Sequence, residues 1–322
     1  MARWGMTFPL PGIPLAEHRD WLQELADLGF TDFWTAEVAG ADAFTPLAAA
    51  AAWVADVRLG TAIASVFSRG PALLAMEGAA LANLAPGRFV LGIGSSSPLI
   101  VEGWNDRSYR RPYARMADTL RFLRRAFAGE RIDEEFESFA VGGFALERPP
   151  AVAPPIFVAA LRERMLGLAG AEADGVLLGL VTPEDVRWSV AALGPGAASR
   201  EVALRIGVIP SEDVGIAREQ ARRIVAAYLN VPAYAAQHRW LGRGEQLAPL
   251  WSAWAAGDRL GALAAVPDDL VDALFVYGSV SECHRRIEAF LEAGVTTPLL
   301  SLVSAGADLR VALRGLAPRG VR

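Results

Sequence analysis

RFVLGIGSSS, residues 88–97, is an apolar run that ends in two glycines and three serines. Two architectures put such a phrase at a binding site. A dinucleotide-binding fingerprint needs Gly-x-Gly-x-x-Gly opening a helix, with an acid about twenty residues on. Here Gly92-Ile93-Gly94 leads into Ser95, Ser96 and Ser97, so the third glycine is missing. Pro98 follows, and no helical pattern begins until about Arg110. The other architecture is a (β/α)8 barrel, in which these residues are the C-terminal end of the fourth strand, the face where such barrels build their sites. Glycines there let a flat ring approach the backbone, and serines offer small hydroxyl groups.

The rest of the chain favours the barrel. One phrase recurs: LADLGFTDFWTAEV (25–38), LANLAPGRFVLGIG (81–94), LAGAEADGVLLGLV (168–181) and LEAGVTTPLLSLV (291–303). Each reads as a helix end, a glycine break and an apolar strand, the pattern of a parallel sheet covered by helices. Strand candidates fall at 2–8, 31–37, 57–64, 88–94, 155–160, 175–181, 202–209 and 297–303, with helical patterns between them. In RPYARMADTLRFLRRAFAGE (111–130), Tyr113, Met116, Leu120, Leu123 and Phe127 share one helical face, and Pro112 suits a first turn. Eight alternations predict an α/β fold, a (β/α)8 TIM barrel, as one domain over residues 1–322; a doubly wound sheet is the rival. Two stretches exceed an ordinary connection. Residues 131–154, after strand 4, read as a hairpin turning at Gly142-Gly143; residues 231–278, after strand 7, are long and rich in Trp and Tyr.

Composition removes several kinds of chemistry. The 322 residues are 53% hydrophobic and carry a net charge of −5, which argues against nucleic-acid binding. All 31 basic residues are arginine, so no lysine can serve as Walker residue, Schiff base or general base. Cys283 is the single cysteine, leaving no intrachain disulfide and no thiolate cluster. The start, MARWGMTFPL, lacks the apolar core of a signal peptide, and the longest apolar run, Leu47 to Ala55, is too short for a bilayer, so a cytoplasmic protein is expected. At the predicted strand ends Glu37 is the one acid and no histidine occurs: His18, His238 and His284 all fall elsewhere. That excludes a His-ligated metal at the mouth and leaves a rim of small residues and hydroxyls. Such a rim suits an enzyme whose cofactor carries the chemistry.

With these residues in view, RFVLGIGSSSPLIVEGWND (88–106) and the helix after it resemble the luciferase-like flavin- or deazaflavin-dependent oxidoreductases. So do TAEVAGADAFTPLAAAAAW (35–53), PPIFVAALRERMLGLAGAEADGVLLGLVTP (154–183) and VDALFVYGSVSECHRRIEAFLEAGVTTPLL (271–300). The AEVAGADAFTPLA stretch looks most like the branch that uses coenzyme F420. The resemblance implies hydride transfer between reduced F420 and a small organic substrate. An FMN-dependent monooxygenase and a cofactor-free, non-catalytic barrel are the alternatives, and a homodimer is the expected assembly.

The resemblance also implies site residues. Ala62–Ile63 would be a non-prolyl cis peptide that presents Ile63 to the ring, with Ser65 nearby and Gly94 and Ser95 at the end of the fourth strand. Ala159, Ala160, Leu161, Arg162, Arg164 and Met165 would hold the cofactor phosphate at a helix start, where relatives often carry Gly-Pro in place of Arg162-Glu163. Glu37 is either a hydrogen-bonding or proton-handling catalytic group beside the ring, or a carboxylate paired with an arginine. Val38 and Ser95 stand where sugar-phosphate dehydrogenases of the family have a histidine and a glutamate, which disfavours that activity. Arg107, Arg110 and Arg111 either meet an acidic cofactor tail or are solvated, and Trp104 either walls the pocket or packs.

Overall fold

A computed structural model describes residues 3–303 and 308–318. Eight parallel strands close on themselves. They are β1 (Gly5–Phe8), β2 (Asp32–Thr35), β3 (Arg58–Thr61), β4 (Phe89–Gly94), β5 (Ile156–Ala159), β6 (Gly175–Gly179), β7 (Glu201–Pro210) and β8 (Thr297–Leu302). Each pairs with the next, and β8 returns to β1 through Gly5 opposite Leu299 and Met6 opposite Leu300. An open doubly wound sheet has no such closing pair. All eight expected strands are present, Ala2 of the first lying outside the described residues.

Alternation decides which residues enter the barrel. Trp34, Val90, Phe157, Leu177, Ala203 and Leu299 form the interior cluster, with Ala62, Ile63 and Ala159 packed above it. The two aromatic rings fit because glycines face them. A Cβ at Gly175 would lie 2.7 Å from the Phe157 ring, and one at Gly60 would run into the Trp34 indole. The opposite faces of the strands meet the helices. On the helix Pro112–Phe127, Met116, Leu120, Leu123 and Phe127 are buried as the periodicity predicts, each burial being worth roughly 1.5–3 kcal/mol.

Three local readings are corrected. The hairpin after β4 pairs Ile132–Glu135 with Ala140–Phe144, and Glu135 faces Ala140, so its turn is at 136–139 and not at Gly142-Gly143. Phe136 and Phe139 close that turn because their rings stack at 4.9 Å and pack edge-on against Phe122. Gly143, with φ +67°, serves a shift in strand register instead. Helical structure begins earlier than Arg110, as a π-helical turn over Leu99–Trp104 that buries Val101. Within 231–278, Phe275–Gly278 is a further parallel strand, pairing with Gly207–Pro210 of β7.

That last strand reshapes one side of the mouth. β6 pairs with β7 only from Glu201 to Arg205; above that level Phe275–Gly278 takes the place beside β7. A Cβ at Gly207 would collide with the Phe275 ring. Helices Val214–Leu229, Pro232–Trp240, Gly244–Ala255, Arg259–Ala264 and Asp268–Leu274 build a second apolar cluster around this strand, including Val225, Leu247, Leu250 and Val271. Among the described residues, no helix is long and apolar enough to cross a membrane.

Candidate active site

The small rim predicted from the glycines lies at the C-terminal end of the barrel. Ala62–Ile63 is a cis peptide, and both residues pack with Ala159 above the interior cluster. Gly94 stands against Ile63: a Cβ there would be 2.6 Å from Ile63 Cγ1. Ala160 is buried, its N–H donating to the Leu177 carbonyl at 3.1 Å. Ser65 sits apart from the cleft and is buried; its Oγ accepts the N–H groups of Phe67 and Ser68 at 3.2 Å each. Its hydroxyl therefore shapes the loop after β3.

Beside this floor opens a cleft of about 730 Å³, lined by Ser95, Ala159, Leu161, Arg162, Arg164 and Met165 together with Tyr109, Arg111, Tyr113 and Trp240. Two helices begin at it. One is Pro112–Phe127, whose N-cap Arg111 is left-handed at φ 50°; the other is Glu163–Glu172, capped by Arg162. Neither has a side-chain cap, so first-turn N–H groups are left for another acceptor. Three guanidinium groups line the same wall. Arg164 stacks over Tyr113 at 4.3 Å, Arg162 is exposed, and Arg111 bonds the Glu137 carbonyl at 2.8 Å and its carboxylate. The carboxylates of Glu137 and Glu163 line the same cleft, Glu137 paired with Arg111, so the free N–H groups, Arg162 and Arg164 are the positive features facing it. Arg107 and Arg110 are exposed on the preceding loop outside it, and Trp104 is 52% exposed, so it does not pack.

Glu37 lies at the other side of the mouth, where its carboxylate is paired with an arginine. Arg69 grips it through two nitrogens at 2.6 and 2.7 Å, and the Ala43 N–H donates at 3.2 Å. The same guanidinium reaches Glu77 at 2.8 Å and covers the Phe44 ring. Burial pushes the Glu77 carboxyl above its ordinary range despite Arg69. Arg69 was not singled out in the sequence, although it is the sole basic residue in SVFSRGP, just beyond β3.

None of the three histidines enters the rim. His18 ties Leu10 to Pro14, and His284 bonds the Gly315 carbonyl at 2.8 Å while stacking on Trp4. His238 is fully buried, with Nε2 3.3 Å from the carbonyl of Leu180, the residue after β6. It fastens the helix Pro232–Trp240 to the barrel. Burial first, then the nearby Arg243, pushes its pKa down to about 4.

The comparisons with known proteins agree with this geometry. The model of the luciferase-like monooxygenase family matches residues 4–297. The chain belongs to that family. Among other family-like proteins, it is 26% identical to a Mycobacterium tuberculosis protein named, provisionally, a coenzyme F420-dependent oxidoreductase, over 91% of this chain and 92% of that one. It is also 26% identical to the 5,10-methylenetetrahydromethanopterin reductase of Methanolobus tindarius, over 90% and 92% of the two chains. The fold matches the coenzyme F420-dependent tetrahydromethanopterin reductase of Methanopyrus kandleri with a TM-score of 0.78, at 21% identity and covering 98% and 97% of the chains. This luciferase-like chain thus shares its barrel and nearly its whole length with redox enzymes.

Proposed function

We propose that this luciferase-like protein is an F420-dependent oxidoreductase that transfers a hydride between the reduced deazaflavin and a small organic substrate. The observation that carries the reading is the adjacency of a floor of small side chains and an anion cradle. A planar ring needs the first, and a phosphate on its side chain needs the second. The names of the relatives support F420 over FMN. Bound there, the deazaflavin supplies a two-electron hydride donor or acceptor at C5.

The protein's own residues position and shield. Ala62, Ile63, Gly94 and Ala159 offer a flat contact surface, and Ser95 a hydroxyl at its edge. The first-turn N–H groups of Glu163 and Arg164, with the Arg162 and Arg164 side chains, hold the phosphate. Glu37 braces the loop after β2 through Arg69, keeping that wall at a fixed distance from the ring. Tyr109 and Trp240 exclude water, which strengthens every electrostatic contact inside the cleft.

Fluorescence titration of the purified protein with F420 and with FMN tests the proposal. F420 is expected to bind, and the double change Arg162→Ala, Arg164→Ala to weaken it by roughly tenfold to a hundredfold. Uptake of FMN with no measurable affinity for F420 would overturn the choice of cofactor. Leu73, Met76 and Leu84 are about half exposed along the helix Pro71–Leu84, which supports the further proposal of a homodimer. Light scattering of the eluted protein measures it, and a monomer at micromolar concentration would exclude it.

A further inference from the structure

Another arginine enters the barrel mouth, away from those of the cleft and from Arg69. Arg205 lies on β7, two residues above the interior Ala203 and opposite Leu299 of β8, so its side chain starts from the inner face. It stands at the level where β6 ends, since Arg205 is paired with Gly179, the last residue of that strand. Its Nη2 donates to Ser301 Oγ at 2.9 Å and its Nη1 meets the Tyr228 hydroxyl at 3.5 Å. Its Nε is buried without a hydrogen-bond partner. Among the described residues, no carboxylate lies within 4 Å of this guanidinium; every ion pair of the barrel involves other arginines.

The neighbours do not neutralise the charge. Ser301 and Tyr228 are neutral hydroxyls. The Tyr234 ring packs edge-on to Tyr228 at 5.4 Å, and burial pushes its phenol up to about 12, so it is no tyrosinate. Thr7 continues the pairing of β1 with β8 one step past Met6–Leu300, level with Ser301, and its Oγ1 is also buried without a partner. Two orphaned polar groups and an unmatched positive charge therefore share the β7–β8–β1 side of a rim whose opposite side is alanine, isoleucine and glycine. A partly buried guanidinium lacking a counter-charge is costly, and unsatisfied polar groups cluster where a ligand completes them.

We infer that Arg205 binds a carboxylate of the substrate, with Ser301 and Thr7 as accessory hydroxyls, so that the substrate is a small organic acid. This rests on the proposed redox function for what happens to the molecule, but the binding claim stands on the arginine. A carboxylate matches one guanidinium in charge and in its two-nitrogen geometry. A phosphate dianion would leave charge over at a single arginine. The split of the rim then has a use: the small-residue side accommodates the ring, and the polar side holds the acid beside it.

The test is isothermal titration of the wild type with benzoate and butanoate, with their amides, and with inorganic phosphate. Each is run with and without F420, whose own binding is read by fluorescence. Both carboxylates are expected to bind more tightly than benzamide and butanamide. Arg205→Met is expected to weaken them by roughly tenfold to a hundredfold, Ser301→Ala by less, while F420 affinity is unchanged. Arg162→Ala, Arg164→Ala is expected to leave carboxylate binding intact, which separates this subsite from the cradle. Equal benzoate affinity in wild type and Arg205→Met overturns the inference. So does Arg205-dependent phosphate binding tighter than that of benzoate, or a loss of F420 affinity in Arg205→Met, which would assign the arginine to the cofactor. A wild type that binds benzoate through Arg205 but takes up no F420 upholds the subsite and refutes only the cofactor reading.

Discussion

Arg58 and Arg205 both project into the barrel, from opposite ends, and their surroundings differ in one respect. At the N-terminal end Arg58 is closed in by two carboxylates: Asp32, and Glu201 at 2.8 and 2.5 Å. Its guanidinium also lies 5.5 Å from the Trp34 ring and 5.9 Å from that of Phe157, and Thr297 donates a further hydrogen bond to Glu201. Burial pushes the Glu201 carboxyl upward, but the hydrogen bond and charge of Arg58 outweigh it and hold the group below its ordinary range. At the C-terminal end, among the described residues, the Arg205 side chain bonds only the hydroxyls of Ser301 and Tyr228. The closed end of the barrel is electrostatically complete, whereas the open end is not. Charge matched within the chain serves stability, and charge left over at the working face is what a ligand recognises.

Removing Arg58 should produce the largest effect. Arg58→Met leaves Glu201 without its ion-pair partner and the fully buried Asp32 with only the half-exposed Arg3, at 3.2 Å. A loss of roughly 3–5 kcal/mol in urea-unfolding stability is expected. A loss below about 1 kcal/mol would mean that the floor network is ornamental and that the contrast with Arg205 fails.

Acid should act next, through His238. Its pKa is about 4 in the folded chain against an ordinary 6.5, so the unfolded chain takes up the proton more readily. The corresponding stability is fully present above pH 6.5 and is lost as the pH falls towards 4. The total is on the order of 3 kcal/mol. Unfolding curves across that window should be flatter for His238→Gln than for the wild type. Parallel curves would place the acid sensitivity elsewhere, for instance in Glu201, whose contribution is lost at lower pH because its folded pKa is depressed.

The smallest effect on stability should come from Arg205→Met, and its sign sharpens the comparison. Replacing an unmatched guanidinium by an apolar chain of similar reach should leave the melting temperature unchanged or raise it, by no more than about 1 kcal/mol in stability. Destabilisation comparable to that of Arg58→Met would show that Arg205 is structural and would remove the reason for assigning it to a ligand.

Much of this was legible before any coordinates. The repeated helix–glycine–strand phrase placed four of the barrel strands and the remaining apolar runs the other four, because the covering of a parallel sheet leaves a local signature of apolar runs and caps. The missing third glycine after Gly94 correctly separated the barrel from a dinucleotide fold. Residues 159–165 came from the family resemblance, and in the structure Ala159, Leu161, Arg162, Arg164 and Met165 line the cleft. Other parts were not legible. Gly142-Gly143 looked like a turn, but the burial of Phe136 and Phe139 against Phe122 moved the turn elsewhere. FVYG at 275–278 was passed over as part of a long segment, because four residues carry too little periodicity to compete with the helices around them.

The chain by itself determined the order and type of its elements, the small side chains of the rim and the lack of lysine or rim histidine, all properties of neighbouring residues. Only the closed barrel decided which arginine meets which acid. Arg58 and Glu201 are 143 positions apart and become partners because β3 and β7 face one another across the interior, while Arg205 is carried by the same strand to a level where no acid among the described residues pairs with it. Coulomb interactions act through space over a few ångströms, and sequence spacing holds no record of that distance.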